Sequence, residues 1–278
     1  MLPKFVEGFE KVRNATDEKE VIGAISEYNL PREVVPTEYL NSAAVWDALL
    51  RSGRGMGMNA MIKNLAKMTA VGLIGQNGEA TKFIEEQLVD TKRLTNERVH
   101  PMSLLLALKT YSSGHGVKGS LVWNPINTIS NALEKAFYRA FPSVEPTGKR
   151  IMLGVDVSGS MDTSEVGGIN MSAREAATAM AMVISNTEPN CTARAFSNKI
   201  CNYDIDKGTS IQEAMKKAKR FPFDRTDCSL LMQHALDNKI EVDTFIIFTD
   251  NETNHGNIHP FQALRNHRQV SGIDAKLI

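Results

Sequence analysis

A short apolar run, Ile151-Met152-Leu153-Gly154-Val155, ends in Asp156-Val157-Ser158-Gly159-Ser160. The run has the length of a buried strand, and open α/β sheets bind ligands beyond the carboxyl ends of their strands. A carboxylate followed by two hydroxyls is a set of hard oxygen ligands, which suits a divalent cation of the Mg²⁺ type. A polar turn between a strand and a helix is the plainer interpretation of the same residues.

Two later segments favour the cation site over the plain turn. Phe245-Ile246-Ile247-Phe248-Thr249-Asp250 is a second buried-strand run that ends in an acid, and Thr226-Asp227-Cys228-Ser229 is a polar loop between two helical patterns. If both strands belong to one parallel sheet, their acids lie at the same edge, beneath the Thr226 loop. Such a site carries little charge and leaves room for an outside carboxylate to complete the coordination shell.

Hydrolysis at this position is disfavoured. A phosphatase with Asp-x-Asp after a strand uses the second carboxylate for acid–base chemistry, and Ser158 stands at that position here. The motif contains no histidine that could activate Ser158 or Ser160 as a nucleophile. We therefore expect a protein that is not an enzyme, and a metal-dependent hydrolase is the third interpretation of the site.

Composition is that of an ordinary globular protein, with 278 residues, 42% hydrophobic and 23% charged residues and no net charge. The length predicts about two domains. Three cysteines without C-x-x-C spacing fit free thiols in a reducing compartment. Because the sequence has no signal segment and no apolar run near ~20 residues, we expect a soluble, cytoplasmic monomer without a membrane partner.

The first half of the chain consists of helical patterns. The clearest one predicts a helix from Asn59 to Ile74 with Gly72 on its apolar face, and Pro101 and Pro125 are each expected in the first turn of a helix. Six or seven short helices joined by polar loops predict an α-solenoid of HEAT-like helix pairs.

A segment rich in proline and glycine, Pro142 to Gly148, separates this half from the next. Strand and helix patterns then alternate, which predicts a Rossmann-like, mostly parallel sheet covered on both faces. We place a helical-repeat domain at residues 1–145 and an α/β domain at residues 146–278. Ala275 to Ile278 begins a strand, so we expect the second domain to be incomplete at its C-terminus.

Two segments without acidic residues contain the candidate contacts with nucleic acid. Residues 48–78 contain Arg51, Arg54, Lys63 and Lys67, and residues 102–133 contain Lys109, His115 and Lys118 beside Tyr111 and Trp123. Basic helix faces with nearby aromatic side chains can follow a phosphate backbone and stack bases. The alternative is a solvated helix face with ordinary surface lysines. We expect Trp46 and Trp123 to be core or packing residues.

The three polar segments together resemble the metal-ion-dependent adhesion site of von Willebrand factor A domains. The resemblance implies that Asp156, Ser158, Ser160 and Thr226 ligate the cation and that Asp250 acts directly or through water. Mg²⁺ is the expected ion, with Mn²⁺ or Ca²⁺ as alternatives.

Nearly the whole chain resembles the Ro ribonucleoprotein family, whose members carry a TROVE domain of helical repeats and then a von Willebrand factor A domain. The matching segments are 45–50, 63–70, 99–101, 106–111, 114–116, 136–138, 144–150, 226–229 and 248–253. The resemblance implies a non-enzymatic RNA-binding protein. Family members close their repeats into a ring that receives the 3′ ends of misfolded RNAs, bind Y RNAs outside it, and in bacteria work with an exoribonuclease.

The chain departs from the family in two respects. Family members have further helical repeats before the position of Met1 and continue the A domain beyond Ile278, so the alternative is a metal-dependent protein-binding module without RNA binding. In addition, Asp224 and Arg225 precede Thr226, where the family has small residues. A guanidinium beside the cation is repulsive unless Asp224 or Asp227 pairs with it.

Overall fold

The computed structural model describes residues 3–53, 55–166, 171–205, 208–221, 225–250, 253 and 255–278. The chain divides into two compact units, Met1–Ser143 and Val144–Ile278. The first unit is helical and the second contains the sheet, which confirms the predicted fold class.

Eight α-helices form the described part of the first unit. They are α1 (Lys4–Arg13), α2 (Glu18–Tyr28), α3 (Ala43–Arg51), α4 (Met58–Ala70), α5 (Glu79–Leu88), α6 (Thr91–Asn96), α7 (Pro101–Ser113) and α8 (Asn127–Arg139). Short 3₁₀ turns lie at Arg32–Val34, Tyr39–Asn41 and Phe141–Ser143. Helices α1 and α2 pack together, as do α7 and α8, while α4 contacts α7 and α5 contacts α8. This packing of helices that are neighbours along the chain is typical of a helical repeat.

Local chemistry explains where these helices begin. The Asp17 carboxylate accepts a hydrogen bond from the Glu20 N–H at the start of α2, and the Ser42 hydroxyl accepts one from Ala44 at the start of α3. Each bond satisfies a backbone N–H that has no partner inside the helix. Pro101 occupies the first turn of α7, as predicted.

Two predicted helix boundaries are wrong. Helix α4 ends at Ala70, because Gly72 adopts a φ of +83° and the Met68 carbonyl accepts hydrogen bonds from the backbone beyond it. Helix α8 begins at Asn127, after an extended Ile126, so Pro125 lies in the preceding loop and not in the first turn.

In its described residues, the second unit consists of a five-stranded sheet with helices on both faces. Its strands are β1 (Ile151–Asp156), β2 (Cys191–Phe196), β3 (Ile200–Asn202), β4 (Thr244–Phe248) and β5 (Lys276–Leu277), in the order β3-β2-β1-β4-β5. Its helices are α9 (Ser160–Thr163), α10 (Ala173–Thr187), α11 (Ile211–Ala218), α12 (Leu230–Asp237) and α13 (Pro260–Ser271). Strand β1 pairs in parallel with β2 and β4, and only the edge strand β3 is antiparallel within the described residues.

The central strand β1 is buried along its whole length. Met152 belongs to the same core cluster as Phe245 of β4 and Leu231 of α12. Helix α10 also packs against β1. Gly154 lies beneath Leu231, and a Cβ atom at this glycine would be 2.6 Å from the nearer Leu231 methyl carbon. The absence of a side chain at residue 154 therefore allows α12 to approach the sheet.

The cysteines are free thiols, as the spacing predicted. Burial raises the pKa of Cys191 to about 11, so its thiolate is scarce at neutral pH. In the part of the chain that the structure describes, no helix combines the length and the apolar character that crossing a bilayer requires.

The contact between Gly154 and Leu231 can be tested with a double-mutant cycle. We expect Gly154→Val to destabilise the protein by about 1–3 kcal/mol through overpacking, and Leu231→Ala to cost about 2–5 kcal/mol through a cavity. In the double variant the volume removed from Leu231 is partly replaced by the valine side chain on the strand. Its loss of unfolding free energy should therefore be smaller than the sum of the two single losses by at least about 1 kcal/mol. Urea unfolding measures all four proteins, and additive effects would contradict the packing.

Candidate metal centre and nucleic-acid interface

The two predicted carboxylates flank the point where the sheet reverses its strand order. The chain proceeds from β1 to β2 on one side of β1, and β4 lies on the other side. Asp156 is the last residue of β1, and Asp250 lies two residues beyond the end of β4. Parallel pairing brings both strand ends to one edge, which is the position where sheets of this kind bind ligands.

Asp156 is fully buried, and both of its carboxylate oxygens accept hydrogen bonds. Oδ1 accepts from the Ser158 backbone N–H at 2.8 Å, and Oδ2 accepts from the Thr249 hydroxyl at 2.8 Å. A buried carboxylate loses its hydration, so these two donors compensate part of that cost and fix the orientation of the group.

The Ser158 and Ser160 hydroxyl oxygens lie 3.1 Å apart. Two neighbouring oxygen ligands of an octahedral ion at about 2.1 Å from the metal are separated by about 3.0 Å. The two hydroxyls form a hydrogen bond with each other, and their spacing is also compatible with two neighbouring ligands of one Mg²⁺-sized ion. Ser158 follows β1 and is buried, whereas Ser160 is the first residue of α9.

Asp250 is only partly satisfied. Its Oδ2 accepts a hydrogen bond from the Ser164 hydroxyl at 3.1 Å, while its Oδ1 is buried and has no hydrogen-bond partner among the residues that the structure describes. A buried carboxylate oxygen without a donor is costly. A cation, or a water molecule bound to one, is the kind of group that would satisfy this oxygen.

The loop that contains Thr226 is held at the same edge of the sheet. Thr226 is 1% exposed, and its carbonyl accepts a hydrogen bond from the His255 N–H. The next residue, Asp227, donates its N–H to the Ser197 carbonyl just beyond β2. Gly256 has a φ of +99° and lies against Asp227, where any side chain would collide with the carboxylate. The loops after β2 and β4 thus fix the Thr226 loop from two sides.

The residues around Thr226 bear on the departure from the family pattern. Arg225 is exposed, so water and salt screen its charge. The Asp227 Oδ1 accepts hydrogen bonds from the backbone and the hydroxyl of Ser229. Asp224, the other expected partner of Arg225, lies outside the described residues. Burial raises the pKa of the neighbouring Cys228 thiol.

The described residues contain no group of three or more His, Cys, Asp or Glu side chains that could hold a metal. The predicted site has another chemistry, since it combines two carboxylates with three hydroxyls. Such a donor set fits a hard cation and is poor for zinc, which prefers nitrogen and sulfur ligands.

Sequence reasoning missed three residues that support the site. Thr249 and Ser164 donate to the two aspartates, and Arg174 donates to the backbone of the loop after β1. Thr249 directly precedes Asp250, so a Thr-Asp pair at a strand end is a usable signal. Arg174 stands at the start of the buried stripe of α10, one helical turn before Ala177 and Thr178, and a charge in such a stripe is also a signal.

The basic candidates in the first unit differ in their exposure and in their contacts with neighbouring side chains. Lys63 on α4 is exposed, whereas Lys67, one turn later, is half-buried and donates to the Asn41 side chain at 2.7 Å. Arg51 forms an ion pair with Asp47 at 2.8 Å and lies over the Phe83 ring. Asp47 lies just before the acid-free segment, so the positive charge near α3 is smaller than the segment alone indicates.

The other candidates lie on or after α7. Lys109 is half-buried on α7, while His115 and Lys118 are exposed in a small hairpin that pairs His115 with Val122. Arg54 lies outside the described residues.

The aromatic residues beside these lysines are buried and are not available to stack bases. Tyr111 is 2% exposed and Trp123 is 5% exposed, and their rings stack on each other at 6.3 Å. The Trp123 indole N–H donates to the Tyr111 carbonyl. Trp46 is also buried, so both tryptophans belong to the core, as expected from the sequence.

A groove of about 560 Å³ lies between α4 and α7. Both helices come from the acid-free segments, so the groove has Lys63 at its margin and no carboxylate in its lining. Its lining residues are Asn59, Ile62, Lys63, Leu65, Ala66, Ser103, Leu106, Ala107, Thr110 and Tyr111. An apolar floor with hydroxyls and the exposed Lys63 is suited to a partner that combines apolar groups with negative charge.

Two family models match the chain. The Ro60 vWA domain matches residues 150–278, and the TROVE domain matches residues 27–110. Between them they cover the sheet unit and most of the helical unit.

Full-length relatives agree with these matches. The RNA-binding protein RO60 of Caenorhabditis elegans is 43% identical over 274 residues, which cover 98% of this chain and 42% of the relative. The protein of the same name from Deinococcus radiodurans is 34% identical over 99% of this chain and 51% of its own length. The chain thus spans about half the length of these relatives.

A solved structure gives the same result. The crystal structure of Deinococcus radiodurans RO (RSR) protein matches 99% of this chain and 55% of its own, with a TM-score of 0.90 and 34% identity. With a TROVE helical region followed by a Ro60-type von Willebrand factor A domain, the chain belongs to the Ro family.

Proposed function

We propose that this chain binds RNA through its helical unit. The observation that carries the proposal is the match to two relatives named RNA-binding proteins, which extends over 98% and 99% of the chain and so includes the helices. The groove between α4 and α7 supports it, because its margin has the exposed Lys63 and its lining has no carboxylate. Phosphates are attracted to such a surface without opposition from nearby acids.

The RNA class follows from the family resemblance. Its members bind small non-coding Y RNAs and the 3′ ends of misfolded RNAs, and we propose the same classes here, with a role in RNA quality control. We propose a cytoplasmic monomer that cooperates with an exoribonuclease, and that the protein itself is not an enzyme. The Ser158 hydroxyl supports the last point, because its neighbour at 3.1 Å is the Ser160 hydroxyl and not a base.

We also propose a metal-ion-dependent adhesion site at the sheet edge. Asp156, Ser158, Ser160, Thr226 and Asp250 would hold a divalent cation. The Ser158–Ser160 oxygen separation of 3.1 Å suits two neighbouring ligands of one cation, and a bound cation would satisfy the Asp250 Oδ1, which has no hydrogen-bond partner among the described residues. When bound, the cation would supply an open position for a carboxylate of a protein partner.

These two activities use different units of the chain. A metal-dependent protein-binding module without RNA binding is the competing function. The low charge of the donor set favours it, because a site with two carboxylates leaves the cation able to attract a third from outside.

RNA binding should depend strongly on salt. Contact with about four to six phosphates predicts a log–log slope of roughly −3 to −4 for a single-stranded tail. We expect Lys63→Gln to weaken binding about three- to tenfold and to make the slope shallower, since it removes a free charge from the groove. Filter binding of a structured RNA with a single-stranded 3′ tail, at several salt concentrations, measures both quantities.

Lys19→Gln is the matched control. It removes one exposed lysine from the same unit, but on the acid-rich start of α2, so it should leave affinity and slope unchanged. Salt-independent or undetectable binding by the parent protein would count against RNA binding by this chain. Equal losses in the two variants would count against the groove.

Mg²⁺ should raise the melting temperature of the parent protein and not of Asp156→Asn or Thr226→Val. Each variant removes a proposed ligand with little change of shape, and a ligand at 100 times its Kd stabilises by about 2.7 kcal/mol. Thermal unfolding with and without Mg²⁺, supported by titration calorimetry, gives the measurement. RNA binding should be unaffected by either substitution.

Asp243→Asn is the control for the loss of a carboxylate. Asp243 lies at the opposite end of the sheet, where hydrogen bonds from Arg150 lower its pKa to about 2. The substitution should lower the melting temperature and preserve the increment caused by Mg²⁺. A parent protein that does not respond to Mg²⁺ or Mn²⁺ would refute the adhesion site.

A further inference from the structure

Arg174 is a fully buried arginine that binds the backbone of the proposed cation loop. It is the second residue of α10, two residues after the Ser172 cap, and it is 0% exposed. Its Nη2 donates to the carbonyls of Val157 and Ser158, at 3.2 and 2.9 Å. These two carbonyls belong to the turn between the proposed ligands Asp156 and Ser160.

The same guanidinium reaches two further elements. Its Nε forms an ion pair with Asp162 of the short helix α9 at 2.6 Å, and its Nη1 donates to the Ala218 carbonyl at the end of α11 at 3.2 Å. The segment after α11 leads to Thr226. One side chain therefore joins the turn after β1, the helix that begins with Ser160, and the helix that precedes the third ligand segment.

Burying a charge at this position is costly unless the charge is paired and hydrogen-bonded. Burying a guanidinium forfeits its hydration, and a well-packed apolar side chain of similar volume is often as stabilising as a buried ion pair. The rigid fork of donors on arginine can satisfy several carbonyls and a carboxylate at once, which neither methionine nor lysine can do. The geometry is thus that of a clamp on the loop and not of ordinary core packing.

We propose that Arg174 is a positioning residue for the cation site, which rests on the proposed adhesion site. It fixes the carbonyls of the Val157–Ser158 turn and the start of α9, so that the Ser158 and Ser160 hydroxyls stand 3.1 Å apart before a cation arrives. Ligands that are already ordered lose less conformational entropy when the cation binds. Arg174 raises cation affinity without contacting the cation.

Arg174→Met and Arg174→Lys test the proposal. Methionine retains most of the volume without donors, and lysine retains the charge without the fork. We expect Mg²⁺ and Mn²⁺ affinity to fall about tenfold or more for methionine and about three- to tenfold for lysine, because the loop is no longer fixed. Titration calorimetry measures the affinity, and Mn²⁺ binding followed by electron paramagnetic resonance checks it independently.

Amide hydrogen exchange of the metal-free protein is the second measurement. Backbone amides of residues 158–163 should exchange faster in both variants, while those of β1 and of the middle of α10 keep their protection. Arg194→Met is the matched control, because Arg194 is a half-buried arginine of the same unit whose guanidinium bonds lie on β2 and α12. It should leave metal affinity and loop exchange unchanged.

The outcomes separate the two ideas. If the parent protein binds neither ion, the adhesion site and the role of Arg174 both fail. If the parent binds and the folded variants bind within about twofold of it, Arg174 alone is refuted. Should Arg174→Met not fold, the lysine variant carries the same comparison.

Discussion

The buried carboxylate of Asp156 is the constraint on which the sheet edge depends. It is removed from water at the end of the central strand, and it keeps its place because one donor comes from its own loop and the other from Thr249 after β4. Two strands that are far apart in sequence are thereby joined at their carboxyl ends. The serine pair, Asp250 and the Thr226 loop are arranged around this joint, so the local chemistry follows from a single satisfied charge.

The strand runs were predictable because a buried parallel strand reads as a short apolar run, and β1 and β4 do so. The acid at each run's end then located the candidate ligands. The supporting residues were not predictable in the same way. Ser164 and Arg174 act through tertiary contacts with residues 86 and 16 or 17 positions away, and spacing along the chain does not report such pairs.

In the helical unit, the charge pattern of the sequence indicates the groove, whereas the aromatic residues near the lysines belong to the core. Acid-free segments do supply both walls of the groove between α4 and α7. Tyr111 and Trp123, however, are buried in the core, where their rings stack and the Trp123 indole N–H donates to the Tyr111 carbonyl. An aromatic residue near lysines in sequence can serve either purpose, and only packing decides. The predicted helix boundaries near Gly72 and Pro125 are wrong for a related reason. The left-handed conformation of Gly72 depends on the loop that follows α4, and the extended conformation of Ile126 depends on the loop that precedes α8.

Gly154 shows how a residue deep in the sheet can influence the surface above it. Because it has no side chain, Leu231 settles directly on β1, and α12 is seated close to the strand. The Thr226 loop leads directly into α12. The distance between α12 and the sheet therefore also determines the distance between this loop and the strand ends. The size of residue 154 therefore determines how closely α12 approaches β1. Changing its size would raise or lower one wall of the candidate cation site without altering any group that faces the ion.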